Sequence, residues 1–296
     1  MLAQQLLNGL VVSGVYALFA LGFTLVFGIQ RILNLAHGAI FMTGAFTAYY
    51  IVKGGGPLWL GFIGAALFAG LVSVLVEFVC FRRLRKTGDE EFGGIISSIG
   101  AGWVIMSLAQ RISDTLILRF PFETFPVVIF KFMGLRVSAL QLFMAFSAIV
   151  LVLVLGYLIY RTSYGRQVRA VTDNEHAAQL MGVRPNMIYS KTYFLAGALA
   201  GAAGVLVGLA FNSINFVMGE PYLMFGFVII ILGGLGSIPG ALMAAVVFGM
   251  GQTLTIAYLP TGLTDTVIFL ALFLILLFRP HGLMGTEEAG NIRGRR

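Results

Sequence analysis

Residues 4–28 read QQLLNGLVVSGVYALFALGFTLVFG and carry no charged side chain. About 20 apolar residues in a helix cross the hydrocarbon core of a bilayer, where each backbone N–H and C=O must be bonded within the segment. The pattern recurs at 33–52, 58–81, 92–112, 138–160, 188–211, 221–236, 239–258 and 263–279, with glycine interrupting 92–112 and 221–258. These runs predict an all-α membrane protein: a polytopic helical bundle of about eight or nine transmembrane segments, some of them glycine-broken. Residues 1–296 read as one transmembrane domain.

Composition agrees. The chain is 59% hydrophobic and 10% charged, against about 25% charged in soluble domains. Its net charge of +7 belongs to the loops rather than to a nucleic-acid surface. The start, MLAQQLLNGL, lacks the basic stretch of a secretory signal, so the first run is expected to persist as a crossing. One cysteine, Cys80, excludes an internal disulfide and a cysteine metal cluster, and no other residues suggest a metal site.

With the N-terminus outside and nine crossings, fourteen of the 19 Lys and Arg fall inside, among them Arg31, Arg82, Arg161, Arg184, Arg279 and Arg293. Lys53, Arg111, Arg119, Lys131 and Arg136 fall outside. That bias predicts an N-out, C-in topology. The outer segment 119–137 is amphipathic and proline-broken, and is expected to lie along the interface.

The inner segment 161–190, RTSYGRQVRAVTDNEHAAQLMGVRPNMIYS, is the one long polar stretch before the C-terminal tail. Thr172 and Glu175 have the spacing of a capping box. Gly182 supplies a left-handed stop, and Pro185 follows. A helix of about nine residues is marginal in water, so it should dock. Ala177, Leu180 and Met181 share one face, which either packs on the chain's own helices or plugs a groove on a partner.

The runs carry almost no charge at depth apart from Glu77, read as a partner of the Arg82–Lys86 cluster. Uncharged candidates for a path are Asn34, His37, Ser97, Ser98, Asn212 and Asn215. Asn34 and His37 share a helical face, and the competing reading is a helix cap plus an imidazole bonded to a carbonyl. Gly197, Gly201, Gly204 and Gly208 form a smooth stripe for close helix packing, within the chain or against a second subunit. Gly233, Gly234, Gly236, Pro239 and Gly240 break the backbone, as a turn or as a hinge. No paired base and nucleophile occurs at depth, so an intramembrane enzyme is not expected.

Several stretches resemble a known family. Glu175–Gly182 (EHAAQLMG) is similar to the Glu-Ala-Ala…Gly coupling loop of ABC importer permeases, with one extra residue before the glycine and without the usual Ile-x-Leu-Pro tail. Asn34–Gly38 (NLAHG) resembles the Asn-Phe-Ala-His-Gly segment of branched-chain amino acid permeases, and Ser98-Ile99-Gly100 loosely follows their Thr-Ile-Gly pattern. Leu232–Gly240 (LGGLGSIPG) and Leu277–Leu283 (LFRPHGL) resemble their C-terminal half.

The resemblance, to LivH-type permease subunits, implies a role in an importer of the bacterial inner membrane. It implies as partners a second homologous permease, two cytoplasmic ATPases and a periplasmic or extracytoplasmic binding protein, besides the lipid bilayer and with no nucleic acid. It also implies that Glu175, Ala177, Ala178, Leu180, Met181 and Gly182 couple the chain to the ATPases. No phosphate-loop motif is present, so the chain is expected to hold no cofactor, with ATP bound by partner subunits. The implied solute is a branched-chain or related amino acid. Relatives of this look carry other amino acids, amides, urea or small carboxylates. The other reading is a self-sufficient secondary transporter or channel.

Overall fold

The structure, a computed structural model, describes residues 2–86, 90–122, 124–132, 134–279 and 282–284. Eleven α-helices follow one another among them: α1 Leu2–Gln30, α2 His37–Lys53, α3 Leu58–Val76, α4 Glu90–Ile112, α5 Ala139–Arg161, α6 Ser163–Asp173, α7 Glu175–Leu180, α8 Pro185–Phe211, α9 Gly219–Gly233, α10 Ile238–Tyr258 and α11 Thr264–Phe278. A π-helical turn, Glu77–Phe81, prolongs α3. Six helices are long and apolar enough to cross a membrane: α1, α3 with its π turn, α4, α5, α8 and α10.

Helices α1 and α8 form the centre, with 78% and 72% of their most apolar windows buried, against 22% in α4 and 28% in α5. Their shared core contains Leu18, Phe19, Phe41, Ala200 and Leu206, all essentially inaccessible. The outer helices present Trp103, Leu108, Phe146 and Leu153 outward, as expected where lipid is as apolar as the side chains it meets.

Close approach depends on the glycine stripe. A Cβ on Gly197 would lie 2.6 Å from the Ala69 carbonyl oxygen, one on Gly201 2.8 Å from that of Ala65, and one on Gly204 would collide with that of Phe41. Gly197, Gly201 and Gly204 therefore pack on α2 and α3 of the same chain, and Gly208 faces Ile214 and Phe120, so the stripe does not wait for a second subunit.

Helices α2 and α9 contain 17 and 15 residues, or about 25 and 22 Å at 1.5 Å per residue, short of the roughly 30 Å hydrocarbon core. Each begins deep within the bundle. His37, the first residue of α2, places Nε2 3.3 Å from the Phe19 carbonyl oxygen, about 16 Å from the Gln30 end of α1. At the same level Gly38 and Gly219 meet backbone to backbone. From there α2 runs toward the Leu2 end of α1, where Tyr50 bonds the last turn of α4. Helix α9 runs the other way, to a turn in which Gly236 lies beside Gly28. The two are opposed half-helices whose N-termini meet at depth.

Three expectations need correction. Segment 119–137 contains an antiparallel hairpin, Ile129–Phe132 with Leu135–Ser138, so the chain is not wholly α. Arg136 exchanges two 2.8 Å bonds with the Gln4 side chain, fixing the hairpin to the start of α1. Thr172 does not cap a helix: it lies inside α6, its hydroxyl bonded to the Val168 carbonyl. Asn174 caps α7 instead, accepting from the Ala177 N–H at 2.9 Å, and α7 has six residues, not nine. The chain breaks at extended Asn174 rather than continuing α6, so Asn174 directly precedes the first turn and its side-chain oxygen reaches a free N–H there. Arg293, Arg295 and Arg296, counted for topology, lie outside the described residues.

Candidate functional site

The Gln30 end of the bundle is covered by α6 and α7. Val168, Val171 and Ala178 close over Ile29, Ile188 and Tyr189, and Tyr164 bonds Thr192 of α8 at 2.6 Å. Burial pushes the Tyr164 hydroxyl up to about 12, the bond to Thr192 acting in the opposite direction. Ala178 is thus the residue of α7 that faces inward. Ala177 is exposed, Leu180 is 89% and Met181 85% exposed. Two large apolar side chains, one on the last residue of a six-residue helix and one on its C-cap, therefore stand almost fully exposed among the described residues. Gly182 adopts φ +83°, and Val183 N–H returns to the Ala178 carbonyl at 3.0 Å, closing the helix in a left-handed stop.

Glu175 closes no capping box with Thr172 and bonds elsewhere. Its carboxylate accepts from the Tyr189 hydroxyl at 2.9 Å. The Arg85 guanidinium lies 4.2 Å over the Tyr189 ring and forms an ion pair with Glu77, which is fully buried. Ser190 donates to the other Glu77 oxygen at 3.0 Å. These contacts connect α7 through α8 to the π turn of α3.

The uncharged polar candidates are used locally. Asn34 Oδ1 accepts from the Ala36 N–H at 3.1 Å, ordering the turn ahead of α2. Ser98 accepts from the Leu35 N–H at 3.1 Å and donates to the Ile95 carbonyl. The Ser97 carbonyl lies 3.5 Å from the Cys80 thiol. Asn212, left-handed at φ 44°, ends α8 and accepts from the Phe120 N–H at 2.8 Å. Asn215 holds the turn before α9 through the Val217 N–H. His37 stacks on Phe23 and meets Phe19 edge-on; its Nδ1 and the Asn34 Nδ2 are buried without a partner among the described residues.

Glu220 escaped the reading of the sequence. It is the second residue of α9, exposed, and beside the Gly38–Gly219 contact at depth, so the runs are not free of mid-depth carboxylates. The signal was present: a run of only 16 residues at 221–236 is too short to cross, and half-helices start inside the bilayer.

The broken stretch at 233–240 is a tight turn. Gly233 and Gly240 meet backbone to backbone, Gly234 and Gly236 take φ +98° and +84°, and Ser237 caps α10 at the Gly240 N–H just after Pro239 enters its first turn. The C-terminal segment seals it: Leu283 and Met284 donate to the Leu232 and Gly233 carbonyls at 2.7 and 3.1 Å.

A family model described as the permease component of a branched-chain amino acid transport system matches residues 5–277. The chain belongs to this permease family. It is 30% identical to the high-affinity branched-chain amino acid transport system permease protein LivH of Salmonella typhimurium, over 98% of this chain and 97% of that protein. It is 29% identical, with the same coverage, to the corresponding protein BraD of Pseudomonas aeruginosa. Among solved structures, PsaBC from Streptococcus pneumoniae in complex with Fab matches 92% of this chain and 89% of its own at TM-score 0.50 and 14% identity, a likeness of fold alone. Membership of the branched-chain permease family makes the chain a multi-pass membrane transport component and not an enzyme. The stretches that first suggested the family fall at the opposed half-helices, at α7 and at the sealed turn.

Proposed function

We propose that the chain is one permease subunit of an ABC importer in a bacterial cytoplasmic membrane, and that it carries branched-chain or closely related amino acids. It would pair with a second homologous permease, two cytoplasmic ATPases and a binding protein on the opposite face. The topology proposed is N-out and C-in with nine passages, two of which combine an irregular stretch with a half-helix: 31–53 and 212–233. This keeps α6, α7 and the Arg-rich inner segments on one side, in accord with the positive-inside rule.

The observation that carries the reading is the outward face of α7. Leu180 and Met181 stand 89% and 85% exposed on a helix whose other side is anchored through Ala178 and Glu175. An apolar protrusion anchored from behind suits a groove on an ATPase, and the contacts of Glu175, Tyr189, Arg85 and Glu77 then carry displacement into α8 and α3. Gly182 ends the protrusion sharply. The path itself is proposed along the face where α2, α4 and α9 converge, with Asn34, His37 at the start of α2, and Ser97 and Ser98 of α4 supporting one side, and Asn212 and Asn215 the other.

Met181→Asp in the complete transporter should leave assembly of the membrane subunits intact while abolishing substrate-stimulated ATP hydrolysis, because a charge would enter an apolar contact. Full stimulation in that variant would remove α7 as the coupling element. Solute flux through the reconstituted chain without ATPase subunits would favour a self-sufficient transporter.

A further inference from the structure

Helices α2, α4 and α9 bound a cavity of about 170 Å³ beside the meeting point of the two half-helices. Gly38, Gly102 and Gly219 give it bare backbone walls, and Trp103, Met106 and Leu223 an apolar lining. Among the described residues Glu220 is the one charged side chain that lines it. Its carboxylate has no hydrogen bond or ion pair among the described residues, and the residue is exposed on the subunit surface.

That placement excludes lipid as the neighbour. A charged side chain near the bilayer centre costs about 2.5–3.5 kcal/mol on insertion scales, and such groups turn to a partner or to water. One negative charge on the wall of an apolar pocket complements a small solute that has one ammonium group and a hydrocarbon body. The Trp103 ring adds a surface favourable to a cation. The first turn of α9 in the same wall favours the carboxylate end of a zwitterion.

We infer that this cavity is a transit site for the solute, with Glu220 receiving the ammonium group and Trp103, Met106 and Leu223 contacting the aliphatic side chain. The inference rests on the importer reading above and adds a binding station within the membrane subunit. Specificity then does not belong wholly to the binding protein: a solute that lacks the amino group passes poorly even when delivered.

The test uses the complete transporter in proteoliposomes with its binding protein, scored by ATP-driven uptake of radiolabelled leucine. Glu220→Gln should lower uptake about tenfold or more, the loss of one hydrogen bond to a charged group, while the subunits still co-purify. Glu220→Asp should recover part of the rate. Met106→Trp, which fills the cavity and leaves the carboxylate in place, should also slow uptake. Unaltered uptake in Glu220→Gln and Met106→Trp beside an active wild type overturns the transit site alone. Failure of Glu220→Gln to co-purify with the second permease overturns it too, by making the carboxylate a subunit contact. A wild-type complex that takes up no leucine with ATP overturns the importer reading and the transit site together.

Discussion

Helices α7 and α8 are neighbours in sequence and opposites in construction. Helix α8 buries small residues: Gly197, Gly201 and Gly204 bring its backbone onto α2 and α3. Helix α7 and its C-cap expose large ones, Leu180 and Met181. Within a membrane, apolar side chains gain nothing by leaving lipid for protein, so helices adhere through close backbone approach and van der Waals contact. In water the same apolar exposure is unfavourable by about 25 cal/mol per Å², and the proposed ATPase contact would remove it. The two helices contrast the forces that hold the body together with the surface that the proposed partner would cover.

The contrast can be broken most severely at the joint between the two regions. Arg85→Met leaves Glu77 charged, buried and without its ion pair, a change that costs about 3–5 kcal/mol at buried sites. The expected outcome is a large fall in the thermal midpoint of the detergent-solubilised chain, largely restored in the Glu77→Gln, Arg85→Met double variant. An unchanged midpoint in the single variant would show that the pair is not structural.

Gly204→Leu comes next. It forces a side chain into the Phe41 backbone, and overpacking of this kind costs about 1–3 kcal/mol, more where backbone must move. Fluorescence-detected size exclusion should show reduced folded yield, and an undiminished yield would mean that α2 and α8 are further apart than described.

The smallest stability effect belongs to α7. Leu180→Ser removes an exposed apolar side chain and should change stability by no more than about 0.5 kcal/mol, seen as an unshifted thermal midpoint, yet weaken ATPase co-purification. A marked loss of stability would mean that Leu180 packs within the chain.

Much of this was legible in one dimension. Run length fixed the class of fold, since no soluble core accommodates nine such stretches. The glycine spacing identified the packing face of α8, and Gly182 the end of α7. The motif at 232–240 and the segment Leu277–Leu283 carry the family resemblance in the sequence itself. Other features were not legible. The cap of α7 moved from Thr172 to Asn174 because the break between α6 and α7 depends on how α6 lies over Ile29 and Tyr189. The hairpin at 129–138 depends on Gln4, more than a hundred residues away.

Composition and periodicity alone determined that this chain lives in a membrane, which ends are basic and where its backbone is bare. They do so because hydrocarbon imposes a local rule on every residue that enters it. Tertiary structure alone decided depth: that α2 and α9 start in the middle of the bundle, that Glu220 stands at their junction, and that Glu77 and Glu175 reach each other through Arg85 and Tyr189. Depth is a relation between segments far apart in the chain, set by which backbones approach closely, and no run of neighbouring residues encodes it.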